Sequence, residues 1–163
     1  EQAFPNLIDK RLKAEGYHNI SIINAGISGS TSASALERMQ WYVRSRPDLV
    51  ILSLGANDGL RGLDVGNMKN NLAETIEFAQ SNGIRVALTG MLTPPNMGEE
   101  YTNSFAPVFP DLAAEYNLDF MPFLLQDVAG IPELNQADGI HPNLDGSRIV
   151  ADHVYNFLLP LIP

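Results

Sequence analysis

The hexapeptide Leu49-Val50-Ile51-Leu52-Ser53-Leu54 limits the fold more than any other stretch, because five of its six residues are apolar. A run that is apolar almost throughout predicts a strand in a parallel sheet covered on both faces. Parallel strands need long crossovers, and helices usually supply them. The surrounding pattern fits. Ile20 to Ile23 predicts an earlier buried strand, Val86 to Leu88 a later one, and Phe120 the start of a short last one. Between them lie helical stripes. Phe4, Leu7, Ile8 and Leu12 share one face of a first helix that Gly16 can end. Leu36, Met39 and Val43 follow a Ser/Thr-rich start that offers N-caps. Met68, Leu72, Ile76 and Ala79 form a helix closing near Gly83. Phe105, Phe109, Leu112 and Tyr116 form another, which Pro107 and Pro110 should shorten or kink. Val150, Val154, Phe157, Leu158 and Leu161 mark the last helix. Alternating strands and helices predict an α/β fold. The expected form is a three-layer α/β/α sandwich on a mostly parallel, doubly wound, flavodoxin-like sheet.

The 163 residues suffice for one core, so one domain over 1–163 is expected. Lys and Arg number 10 against 19 Asp and Glu, a net charge of -9, and the basic residues are scattered. Without a basic stripe, nucleic acid is not an expected partner. No apolar run reaches the ~18 residues of a membrane span, so no stable membrane insertion is expected. The chain contains no cysteine, which removes disulfides, thiolate metal sites and a cysteine nucleophile.

In doubly wound sheets ligands bind beyond the carboxyl ends of the strands, so the loops after strands are the places to search. The first is Asn24-Ala25-Gly26-Ile27-Ser28-Gly29-Ser30-Thr31-Ser32. Its glycines permit a tight left-handed backbone, and a helix start follows. That suits an oxyanion site with the Gly29 N–H as donor, or an ordinary strand–helix turn with serine caps. The second is Gly55-Ala56-Asn57-Asp58-Gly59-Leu60-Arg61-Gly62. Here Asn57 can offer its side-chain amide to developing negative charge, or the segment is an Asx turn. Gly59 and Gly62 flank Leu60 and Arg61, a pattern suited to a mobile segment.

The third is Asp138-Gly139-Ile140-His141-Pro142-Asn143. Pro142 biases His141 toward an extended conformation. An acid three residues earlier can then fold back onto the imidazole, orienting it and leaving the other nitrogen as a base. The same residues can form a helix-start turn capped by Asn143 or Asp145. His18 and His153 read as structural or exposed. Asp58, Asp138 and His141 could form a carboxylate–imidazole metal site. Without a helical HxxxH or a thiolate, neither a metal nor any other cofactor is expected.

Taken together, the three loops resemble the SGNH (GDSL-type) hydrolase family, in its small bacterial thioesterase, lysophospholipase and arylesterase branch. Asn24 to Gly29 resembles its second block, Gly55 to Gly62 its third and Asp138 to Pro142 its fifth. Thr93-Pro94-Pro95-Asn96 is similar to the loop after the next strand. The resemblance implies a serine esterase acting on acyl or aryl esters, and in some members thioesters or lysophospholipids. It implies His141 as general base and acid, Asp138 as its orienting acid, and Gly29 N–H with Asn57 as oxyanion donors. Leu60, Thr93 and Pro94 would line the acyl site. The expected partner is a small acyl ester. The resemblance leans toward a periplasmic or secreted location and is silent on oligomeric state.

The family's first block, Gly-Asp-Ser-Leu, does not occur in residues 1–163. Ser28, Ser30 and Ser32 belong to the oxyanion loop, and Ser53 to a strand, so none is expected to be the nucleophile. A preceding segment of roughly 15–20 residues, one strand and a nucleophile turn, is therefore expected. An intact mass no greater than these residues account for would rule it out. The alternative is a ligand-binding relative that keeps Asn57, Asp138 and His141 without a nucleophile. A flavodoxin-like signalling domain would have no use for the Asp138–Pro142 loop.

Overall fold

The computed structural model describes residues 3–163. In chain order the elements are α1 (Phe4–Ala14), α2 (Ala35–Tyr42), β1 (Leu49–Leu52), α3 (Ala56–Leu60), α4 (Val65–Ser81), β2 (Arg85–Thr89), α5 (Glu99–Phe105), α6 (Val108–Glu115), β3 (Asp119–Met121) and α7 (Leu144–Leu158). Short 3-10 turns lie between several of them. The fold is α/β, as expected. Its sheet has the order β1-β2-β3 and is parallel throughout, with Val50 beside Val86 and Leu88 beside Phe120.

The contacts divide the chain into two units, one of Ile27–Phe123 and one of the residues up to Gly26 with Leu124–Pro163. Within Ile27–Phe123, β2 is the central strand, and Val86, Ala87, Leu88 and Thr89 are all buried. Helix α4 lays Met68, Leu72, Thr75, Ile76 and Ala79 in a buried stripe at helical spacing. Leu72 is fully buried, and truncating such a leucine to alanine costs about 2–5 kcal/mol. Asp64 starts α4 by accepting the Asn67 N–H at 2.7 Å. The helix expected across 105–116 is two helices, because Pro107 sits where α5 has ended and α6 begins. Pro110 lies in the first turn of α6, where a missing N–H leaves no bond unmade. Phe105 and Phe109 remain packed edge to face across the break, 5.5 Å between centroids.

Two strand expectations need correction. Ile20–Ile23 carries no strand. The Ile20 N–H donates to the Tyr17 carbonyl and the Ile22 N–H to Asp9 Oδ1, both at 3.3 Å, and neither is a ladder bond to a neighbouring strand, without which no strand exists. Likewise β1 stops at Leu52, and Leu49, Val50 and Ile51 are half-buried where full cover was expected. Among the described residues β1 is an edge strand, with a partner on one side only.

In the unit that includes the termini, α1 packs on α7. Ile8 and Leu12 are buried on α1, and Val150, Ala151, Val154, Tyr155 and Leu158 on α7. Arg11 covers the Tyr155 ring, 3.8 Å from its centroid, and bonds Glu15 and Asp152 at 2.9 and 2.8 Å. The Tyr155 hydroxyl donates to Glu15. Gly16 follows the helix in a left-handed conformation. No described helix is long and apolar enough to cross a membrane.

Candidate active site

Within Ile27–Phe123, the end of β1 leads into a turn that only glycine fits. Gly55 has φ of 107°, and a Cβ there would lie 2.9 Å from Phe109 Cζ and 3.2 Å from Met68 Sδ. From this cap α3 begins at once, a one-turn helix where sequence periodicity offered only a loop. It is too short to show a stripe. The turn presents Asn57, half-buried, toward the loop at Gly29. Asn57 Nδ2 donates one hydrogen to the Ser30 carbonyl at 3.0 Å and keeps its second free for another acceptor. Gly29 takes φ of 75°, the left-handed conformation its position in the loop suggested. Arg61, one residue beyond α3, donates to the Gly29 carbonyl at 2.9 Å.

Asp58 is not a free carboxylate at a cleft wall. It is 3% exposed and accepts both the Ser32 N–H (2.9 Å) and the Ser32 hydroxyl (2.6 Å). Sequence reasoning weighed Asp58 only as a turn residue or metal ligand. The pairing spans 26 positions, so local spacing carries no signal of it. Leu60, Thr93 and Pro94 are half-buried. A Cβ on Gly59 would meet Thr93 Cγ2 at 2.9 Å and Phe105 at 3.0 Å. Gly59 is therefore needed for close approach between α3 and the Thr93 loop, rather than for mobility. Ser53 Oγ accepts from Thr89 Oγ1 at 2.9 Å.

In the other unit, the loop before α7 brings Asp138 and His141 together. His141 Nδ1 lies 2.7 Å from Asp138 Oδ2. Asp138 Oδ1 accepts the N–H groups of Ile140 and His141, both at 3.0 Å. These two backbone donors, then the imidazole, hold its carboxyl down at about 2, against an ordinary 3.8. With Nδ1 occupied by the carboxylate, Nε2 is the ring nitrogen available for proton exchange. The loop is closed beneath them. Gln136 N–H donates to the His141 carbonyl at 2.7 Å, and Asn135 pairs with Pro142 in an isolated antiparallel bridge.

The capping reading holds beside the pairing. Asn143 Oδ1 accepts the N–H groups of Asp145 and Gly146, each at 3.0 Å, while its Nδ2 donates to the Glu133 carbonyl at 2.7 Å. Asn135, which sequence reasoning missed, is buried and donates to the carbonyls of Val128 (2.7 Å) and Ile131 (2.8 Å). His18 is exposed, and His153 Nε2 stands 3.5 Å from Asp127 Oδ2.

The chain is similar in sequence and in fold to known proteins. Residues 1–149 match the model of the GDSL-like lipase/acylhydrolase family. The chain is 39% identical to Esterase TesA of Pseudomonas aeruginosa over 162 residues, 99% of this chain and 80% of the relative. It is 35% identical to an arylesterase of Vibrio mimicus over 155 residues, 94% of this chain and 77% of that protein. Among solved structures it matches the psychrotrophic esterase EstA of Pseudoalteromonas sp., inhibited by monoethylphosphonate. That match has a TM-score of 0.92 at 34% identity, covering 99% of this chain and 88% of that one. With a parallel α/β sheet and a family match over residues 1–149, the chain belongs to the GDSL-like lipase/acylhydrolase family of ester hydrolases.

Proposed function

We propose that this chain hydrolyses acyl and aryl carboxylic esters through a Ser–His–Asp triad and a covalent acyl-enzyme. The observation that carries the proposal is the Asp138–His141 pair, with one carboxylate oxygen on the imidazole and the other fixed by backbone. In the proposed cycle a serine Oγ attacks the ester carbonyl carbon while His141 Nε2 takes its proton. Asp138 stabilises the imidazolium. Gly29 N–H and Asn57 Nδ2 hold the tetrahedral oxyanion. His141 then protonates the departing alcohol as its C–O bond breaks. Water attacks the acyl carbon, His141 takes the water proton, and that proton returns to the serine as the acid leaves.

The nucleophile assigned is the serine of the family's Gly-Asp-Ser block, which is not within the 163 residues. Ser32 and Ser53 are already engaged with Asp58 and Thr89. Leu60, Thr93 and Pro94 are proposed to line the acyl group. A phosphonate-inhibited esterase among the structural relatives supports a serine nucleophile.

The test uses the full-length protein. A panel of p-nitrophenyl esters, with a thioester beside it, should be hydrolysed, and a serine-directed phosphonate should leave one covalent adduct. His141→Ala should lower kcat by about 10⁴. Asn57→Ala should lower it by about 10²–10³, or ~3–4 kcal/mol, with a modest KM change. Near-normal turnover in His141→Ala would overturn the triad. Failure to form the adduct would favour a ligand-binding relative.

A further inference from the structure

We infer that Ser32 and Asp58 are positioning residues, a buried clasp that sets the spacing between Gly29 and Asn57. The inference rests on the reading of those two groups as oxyanion donors.

Four bonds tie the Gly29–Ser32 loop to residues 57–61. Arg61 holds the Gly29 carbonyl and Asn57 the Ser30 carbonyl, at 2.9 and 3.0 Å. Asp58 holds Ser32 twice, through its N–H and its hydroxyl. Only the Asp58–Ser32 pair is buried, with Ser32 1% and Asp58 3% exposed. A carboxylate withdrawn from water is costly unless hydrogen-bonded, so this pair tolerates little displacement. Asn71 Nδ2 donates to Ser32 Oγ at 3.0 Å, which leaves the hydroxyl proton to point at Asp58. On the far side Tyr101 steadies the same turn, its hydroxyl reaching the carbonyls of Leu63 (2.7 Å) and Asp58 (3.3 Å).

Asn57 is the neighbour of Asp58, and its amide is aimed by the Ser30 carbonyl. A slide of the loop would take that carbonyl away and rotate the amide. Misplacement by about 1 Å can cost about 10² in rate. Losing one of the two Ser32 bonds should therefore cost less than losing Asn57, yet act through Asn57.

A double-mutant cycle in the full-length protein separates this from a merely structural bond. Ser32→Ala should lower kcat about tenfold with KM within about twofold. In the Asn57→Ala background, the same substitution should change kcat by less than about twofold. Unchanged kcat in Ser32→Ala overturns the inference, as does an equal loss in both backgrounds. Full turnover in Asn57→Ala alone overturns the oxyanion reading and the clasp with it. Loss in Asn57→Ala with none in Ser32→Ala overturns the clasp alone. Should Ser32→Ala not fold, Asn71→Ala on the half-buried face of α4 replaces it in the same cycle. A kcat loss that vanishes beside Asn57→Ala then supports the clasp, and unchanged kcat overturns it.

Discussion

Gly146→Ala pits two effects of opposite sign against each other in the first turn of α7. Alanine is the better helix former by about 1 kcal/mol, so propensity alone predicts stabilisation. Space predicts the reverse. A Cβ at Gly146 would lie 2.1 Å from the Leu134 carbonyl oxygen, with Val128 Cγ1 at 3.0 Å and Pro142 Cβ at 3.1 Å. Carbon–oxygen contacts normally settle at ~3.3 Å or more. The helix start and the Leu134 turn must then part by over ~1 Å, at an overpacking cost of about 1–3 kcal/mol. The Leu134 carbonyl also accepts the Asn143 N–H at 2.9 Å, and straining that bond adds about 1 kcal/mol. Propensity offsets only part of this. The net expectation is a loss of about 2 kcal/mol, or ~4–8 °C in Tm for a chain of this size. Thermal unfolding followed by far-UV circular dichroism measures it. A variant as stable as the parent, or more so, would refute the steric reasoning.

Two further outcomes are expected. Asn143→Ala removes both the α7 cap and the tie to the Glu133 carbonyl. It should cost about 1.5–3 kcal/mol, read as a fall in thermal midpoint, whereas Asn143→Asp keeps the cap and should recover about half; equal loss in both would show that the cap contributes nothing. The Asp138 carboxyl sits at about 2 when folded, below its ordinary 3.8. Its stabilising contribution is therefore present above pH ~4 and lost as pH falls toward ~2; a carbon-13 titration of that carboxyl should find its midpoint near the lower value, and a midpoint at the ordinary one would show the Ile140 and His141 N–H bonds to be ineffective.

Sequence carried the parts of this molecule that local chemistry decides. The α4 stripe from Met68 to Ala79 was legible because one helical face repeats over several turns. The Asp138–His141 pair was legible because three residues of chain and a glycine suffice to fold the acid back. What was not legible depends on distant partners. Ile20–Ile23 has the composition of a strand, but strands are defined by neighbours, and composition does not supply one. Helix α3 escaped because one turn is shorter than any periodicity. Asp58 looked like turn chemistry because its partner, Ser32, stands 26 residues away. Pro107 and Pro110 signal one shortened or kinked helix, where the structure has two, because whether a proline kinks a helix or ends it depends on what each half can pack against. Here Phe105 and Phe109 give each half its own anchor.

The small ring beneath the histidine has a consequence for how this loop can vary in length. Residues 136–141 close on themselves through the Gln136 N–H and the His141 carbonyl, and the Asp138–His141 pair spans the same ring. An inserted or deleted residue inside it would change the reach from acid to imidazole and open the closure together. The stretch from Gln126 to Ile131 lies outside that ring and is exposed except at Val128. Length variation among relatives should therefore be found before Asn135 and not between Gln136 and His141, whatever residues fill the two segments.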